Sequence, residues 1–384
     1  MFRSLVVLCL SCLPIAAHAL DRGTAATRFR EAHRAVSAHI SADGFLLDSS
    51  PAAATALDAQ WAAARDLVAA LLDRQPELAP AALTRQAKHS AGLGVYALRL
   101  DPDAVLVDTE SGEFGTAFLF RRGDDGHYHS VFALHETAAA RAGPTAALAA
   151  WRSVNAASIC RSRPSEGEWY RCGPMAVQRL IPLQAEAAGG RRFAILGSYV
   201  VPMGGTVPFQ LTIWRWDGRS ATLLLARTLS QTLTQPVFVG EDARGFTLRV
   251  KEQHQSFSAS EEGGGRQMIW RFDLPATGAA APRIRAMSPE LDLVDRLYAR
   301  LAAHRPTGDL AAPSVAARLR NVEVNMLNSW RYLGRDRAIT RICVDTISFD
   351  RPQIFRIVRR AGRLWIADVA FARPHACGGP GAHF

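Results

Sequence analysis

The sequence predicts an α+β fold: an N-terminal helical segment, a central antiparallel β-domain built as a meander or sandwich, and a small C-terminal α+β domain. Three observations predict it. Apolar residues recur at helical spacing over residues 20–90, the period changes to two over 91–286, and a helical pattern followed by short alternating strands fills 288–384. The chain of 384 residues is 48% hydrophobic and 21% charged, enough apolar content to bury cores in units of this size and unlike a disordered composition.

Residues 1–19, MFRSLVVLCLSCLPIAAHA, have the build of a secretory signal peptide. Arg3 supplies the positive end, the apolar run from Leu5 to Ala16 is too short to span a bilayer, and Ala17 and Ala19 offer a peptidase site before Leu20. Ser11 suits lipidation at Cys12, but Cys9 stands where a leucine is expected, so cleavage is the preferred reading. The expected location is therefore periplasmic or secreted. No later apolar run approaches the roughly 18 residues of a membrane helix, so no transmembrane helix is expected in the mature chain.

Between Thr24 and Ser90, Phe29, Val36 and Ile40 share one helical face, and Leu57, Trp61, Val68 and Leu71 share another. Ser50-Pro51 reads as an N-cap followed by proline at the first helical position. From about Leu93, alternation predicts a hairpin from Thr116 to Leu134 that turns at Asp124-Asp125-Gly126. A second hairpin runs from Phe209 to Thr228 and turns at Asp217-Gly218, where glycine supplies the positive φ of a tight turn. Later strands end in Met268–Leu274, and a helical insertion is expected at 144–157 around Trp151. Trp214-Arg215-Trp216-Asp217 and Trp270-Arg271-Phe272-Asp273 hint at a repeat, but two copies are too few to define a propeller.

Ser288-Pro289-Glu290 opens a helix carrying Leu291, Val294, Leu297 and Leu301, and a second helical stretch is expected from Val315 to Trp330. Strands follow at 339–347, 353–358 and 364–371. The closing hairpin, IFRIVRRAGRLWIADVAF, resembles the last strands of NTF2-like domains. That resemblance covers the final quarter of the chain and implies helices packed on a curved antiparallel sheet. Because that family holds both enzymes and binding modules, it assigns no chemistry.

Once the leader is removed, Cys160, Cys172, Cys343 and Cys377 remain. In an oxidising compartment they predict two disulfides, and the short loops favour Cys160 with Cys172 and Cys343 with Cys377. The +10 formal charge comes almost entirely from arginine, Lys88 and Lys251 being the lysines. Such an arginine- and alanine-rich composition in an exported protein argues against nucleic acid as the partner.

Catalytic signatures are missing: there is no Gly-x-Ser-x-Gly elbow, Walker loop or GxGxxG after a strand, and His135-Glu136 lacks the second histidine of a metallopeptidase helix. No catalytic residue and no cofactor is assigned. Weak metal candidates are His127 and His129, two imidazoles on one strand face. Asp345, Asp350 and Asp368 surround the last strands, and alternation puts Asp368 on the side of Leu364 and Ile366. Arginine pairing is the preferred role for Asp368.

The named patch is basic. Residues 288–384 hold 15 arginines against 9 acidic residues, and Arg356, Arg359, Arg360 and Arg363 cluster at one hairpin, where guanidinium forks suit an anionic ligand or an envelope protein partner. Trp214 and Trp216, on one face with Gln210 and Thr212, are a second candidate surface. Glu168-Trp169-Tyr170, in the loop expected to close between Cys160 and Cys172, is a third. The preferred function is therefore an exported, non-catalytic binding or envelope-associated protein. The alternative is a hydrolase acting on envelope material through carboxylates or histidines.

Overall fold

The structure, a computed structural model, describes residues 21–39, 51–110, 115–137, 175–185, 190–199, 207–232, 236–252, 266–275, 281–320, 322, 327–346, 351–373 and 377. The expected leader, Ile40, the 144–157 insertion, Ser50, Asp350, Cys160, Cys172 and Glu168-Trp169-Tyr170 lie outside them. The fold is mixed α+β with a β-rich body of antiparallel sheets.

Three helices come first: α1 (Arg22–Ser37), α2 (Pro51–Arg74) and α3 (Pro80–Ala91). The Asp21 carboxylate accepts the Gly23 N–H at the start of α1, and proline opens both α2 and α3. Phe29, Val36, Leu57, Trp61, Val68 and Leu71 are all buried, as the helical spacing predicts. They share a core with β1 (Gly94–Asp101), β2 (Ala104–Glu110), β3 (Thr116–Arg122) and β4 (Tyr128–Ala133), through Val95, Val107, Phe118 and Phe120. Asp73, in the last turn of α2, ties the two layers together. Its carboxylate accepts the Tyr128 N–H at 2.6 Å and lies 3.1 Å from His127 Nδ1.

The opposite face of this sheet packs on a second meander of β5 (Met175–Pro182), β6 (Arg191–Tyr199), β7 (Val207–Trp216) and β8 (Ala221–Thr232), with Leu106 and Leu119 meeting Leu180, Phe193 and Trp216. A third meander, β9 (Val237–Asp242), β10 (Gly245–Glu252), β11 (Arg266–Asp273) and β12 (Arg283–Ala286), joins the second at one register position, Glu252 opposite Thr232. Leu196, Leu211 and Ile213 of the second meander share a core with Phe246, Leu248 and Phe272 of the third. The two tryptophan-containing recurrences fall at the ends of β7 and β11, the third strand of successive meanders.

At the expected Asp217-Gly218 turn, the Asp217 carboxylate accepts the N–H groups of Arg219 and Ser220, both at 2.8 Å. Gly245 opens β10 with φ +153°, and a Cβ there would lie 1.9 Å from the Phe272 carbonyl oxygen, so no larger residue fits.

The last part holds α4 (Pro289–Ala302), α5 (Pro313–Leu319) and a fourth meander, β13 (Leu327–Asp336), β14 (Ile339–Thr346), β15 (Gln353–Arg360) and β16 (Arg363–Phe371). The expected helix from Val315 to Trp330 is corrected here. It stops at Leu319, and Trp330 lies in β13 opposite Val344, where its ring packs against the apolar core under the sheet. Tertiary burial overrides the local helical pattern. Leu291, Val294 and Leu297 of α4 pack on Ile342, Phe355, Ile357 and Ile366. Cys343 and Cys377 form a disulfide with Cα atoms 5.3 Å apart.

An ionic joint connects the third meander to α4. Arg266 and Arg296 lie 2.6 and 3.1 Å from the two carboxylate oxygens of Asp292, and the Trp270 indole donates to Glu252 at 2.9 Å. Burial pushes the Glu252 carboxyl above its ordinary value of 4.5, against the lowering effects of the Trp270 hydrogen bond and Arg266. A carboxyl whose folded pKa is raised holds its proton longer in the folded chain, so stability falls as pH rises from 4.5 through the folded pKa. Glu252→Gln keeps an acceptor for Trp270 and removes the charge. Thermal melts between pH 4.5 and neutrality should show the variant losing less stability than the parent; equal slopes would refute this assignment.

Candidate functional site

The fourth meander carries the basic surface. Apolar residues of β14 to β16 point to α4 and α5, leaving Arg341, Arg356, Val358, Arg360 and Trp365 on the opposite face. Register places Arg341 directly opposite Arg356, and Arg356 opposite Asp368, in one row across three strands. Neighbouring strands lie about 4.8 Å apart, so two guanidinium stems stand side by side. Like charges directly opposite destabilise a sheet by a few tenths of a kcal/mol, which an anion would relieve. Arg331 on β13, opposite Cys343, extends the basic face, and Arg360 and Arg363 face each other at its far end.

The four predicted arginines are not equivalent. Arg356 belongs to the row, while the Arg360 guanidinium lies 5.2 Å from the centroid of the Trp365 ring, which fixes its position. Arg359 instead donates to the Gly362 carbonyl at 3.2 Å and staples the turn, where Ala361 and Gly362 both have positive φ. Arg363 is exposed beside it.

Asp368 is placed differently from the alternation reading. A bulge between Arg356 and Ile357 in the β15–β16 register leaves Ala367 as the extra residue, so Ile366 and Val369 are buried and Asp368 turns to the arginine side. There Arg318 of α5 donates to its carboxylate at 2.9 Å and to the Val369 carbonyl at 2.7 Å, and Arg356 lies 3.9 Å away. Asp345 is buried on β14.

The tryptophan surface is corrected. Trp214, Trp216, Gln210 and Thr212 do share one face, but all four are buried. The first sheet covers that face: Trp216 donates to the Asp101 carboxylate at 2.6 Å, and Trp214 donates to the Thr212 hydroxyl at 2.8 Å. These indoles are core residues with satisfied N–H groups.

Nor do the histidines converge. His127 pairs with Asp73, whereas His129 lies 2.9 Å from Asp125, whose carboxyl is held below its usual range first by the His127 backbone N–H and then by the His129 ring. The His135 ring lies against Trp61, tilted by 33° with centroids 4.4 Å apart. Among the described residues, no three His, Cys, Asp or Glu side chains gather as a metal site, and no helix is long and apolar enough to cross a membrane.

No family model matches this chain, and no curated protein matches it. Among solved structures, the β-propeller domain of Nup133 from Vanderwaltozyma polyspora aligns at 7% identity and a TM-score of 0.25. The alignment takes in 74% of this chain and 64% of that domain, less than two thirds of its length. So faint a likeness assigns neither fold nor function.

Sequence reasoning missed Arg331 and Arg341, which join the hairpin arginines through strand pairing. The signal available was the two-residue period of ITRICVDT, which sets Arg341 opposite in facing to Ile342.

Proposed function

We propose that this chain is an exported, non-catalytic binding protein that takes an anionic ligand or envelope partner on the arginine face of its fourth meander. The observation that carries the reading is the cross-strand row Arg341–Arg356, flanked by Arg331, Arg360 and Arg363, with the one carboxylate of that row, Asp368, already engaged by Arg318. The separate pairing of His127 and His129 and the ion pairing of Asp368 favour binding over the alternative hydrolase. In the same reading, the central meanders form a layered β-domain, and the closing α4, α5 and β13–β16 unit is NTF2-like. Four antiparallel strands with two helices over one face support that likeness.

Fluorescence anisotropy with labelled poly-L-glutamate tests the arginine face. Binding should weaken as salt rises, because exposed charges are screened beyond about 10 Å at 0.1 M. The double variant Arg341→Glu/Arg356→Glu should weaken it by about tenfold or more. Arg244→Glu, at the exposed β9–β10 turn, should have little effect. Equal losses in both variants, or no binding at low salt, would overturn the reading.

A further inference from the structure

We infer that a cleft where β1, β2, β5 and β9 meet is a second binding site, built for a neutral sugar of one or two rings. Its volume is about 590 Å³, within the range of small-ligand sites. The cleft lies where the first strands of three successive meanders come together, at the end of the sheet-on-sheet core.

Its lining specifies the ligand chemistry. Tyr96 on β1 is directly opposite Asp108 on β2. The Tyr96 side chain is half exposed, while Asp108 is 4% exposed. From β5 come Gln178, whose amide donates to the Ser198 hydroxyl at 2.8 Å, and Arg179, whose guanidinium lies 5.9 Å from the centroid of Phe238 on β9. Glu241, also on β9, accepts the Gln184 backbone N–H at 2.5 Å. A carboxylate has about four acceptor positions, so this single bond orients Glu241 and leaves acceptor capacity for a ligand.

Two carboxylates repel a polyanion, so this site and the arginine face select different ligands. A wholly apolar ligand would cover the remaining acceptor positions of Glu241 and the Arg179 guanidinium without offering either a hydrogen bond, which disfavours it. A sugar ring satisfies both kinds of wall. Its hydroxyls donate to Asp108 and Glu241 and accept from Arg179, while its C–H face lies on the Tyr96 ring. The lining also carries an excess negative charge, so a small polycation is the competing ligand.

Saturation-transfer NMR and calorimetry with millimolar maltose, cellobiose, lactose and N,N′-diacetylchitobiose test the inference, with spermidine as the cationic probe. At least one disaccharide should bind. Tyr96→Ala and Glu241→Gln should each weaken that binding by about tenfold. Neither variant removes a fully buried side chain, and glutamine keeps an acceptor for the Gln184 N–H. Arg341→Glu/Arg356→Glu should leave sugar binding unchanged, so failure at one site is distinguishable from failure at the other. Binding of spermidine without any disaccharide, no binding at all, or sugar binding that survives both cleft substitutions would overturn the inference.

Discussion

Trp216→Ala is expected to destabilise the chain by about 3–5 kcal/mol, the range for deleting a large aromatic side chain from a packed core. The indole is 1% exposed, wedged between the first and second meanders among Leu100, Leu106, Leu180 and Phe193. Its N–H is bound to Asp101 at 2.6 Å, so truncation leaves a cavity and also strips a partner from a carboxylate. Trp216→Phe keeps most of the ring and loses the hydrogen bond, and should cost about 1–2 kcal/mol. Urea unfolding followed by tryptophan fluorescence measures both. Poly-L-glutamate binding should be unchanged while the alanine variant remains folded, because Trp216 lies in a different meander from the arginine face. If Trp216→Ala altered ligand binding but left the urea midpoint in place, the covered position of this ring would be refuted.

This residue marks the boundary of what was legible. Alternation correctly put Trp214 and Trp216 on one face with Gln210 and Thr212. A two-residue period reports which side chains share a face, however, and not whether another sheet covers it. Covering is a contact between strands distant in sequence: Asp101 and Trp216 are 115 residues apart. Turn chemistry is local and was readable at Asp217-Gly218, because the φ requirement is carried by the turn residues themselves. Bulges were not readable. The extra residue at Ala367 reversed the side on which Asp368 emerges, and nothing in LWIADVAF announces it. The arginine row was half legible for the same reason. Arg356 and Arg360 are four apart on one strand, whereas Arg341 joins them through the β14–β15 register, and the cleft draws its lining from strands of three different meanders.

Cys343→Ser/Cys377→Ser should produce the other large effect, a loss of about 3–4 kcal/mol. This is the loop-closure estimate for a bridge of this span. The cysteines are 34 residues apart, so the bridge encloses the whole β15–β16 hairpin and restricts the unfolded chain accordingly. Both cysteines are fully buried, so a reductant should act slowly on the folded protein and quickly once urea opens it. The bridge also constrains the proposed ligand surface, since Cys343 lies opposite Arg331 and two residues beyond Arg341 on the same strand. Urea unfolding with and without reductant, combined with poly-L-glutamate titration, separates its two effects. The reduced or serine form should unfold at lower urea. Where it is still folded, it should bind the polyanion more weakly because β14 is no longer tied to Cys377. An unchanged urea midpoint after thiol titration has verified reduction would show that the bridge contributes nothing to the fold. A lowered midpoint with intact polyanion affinity would confine its role to stability, leaving the arginine row held by strand pairing alone.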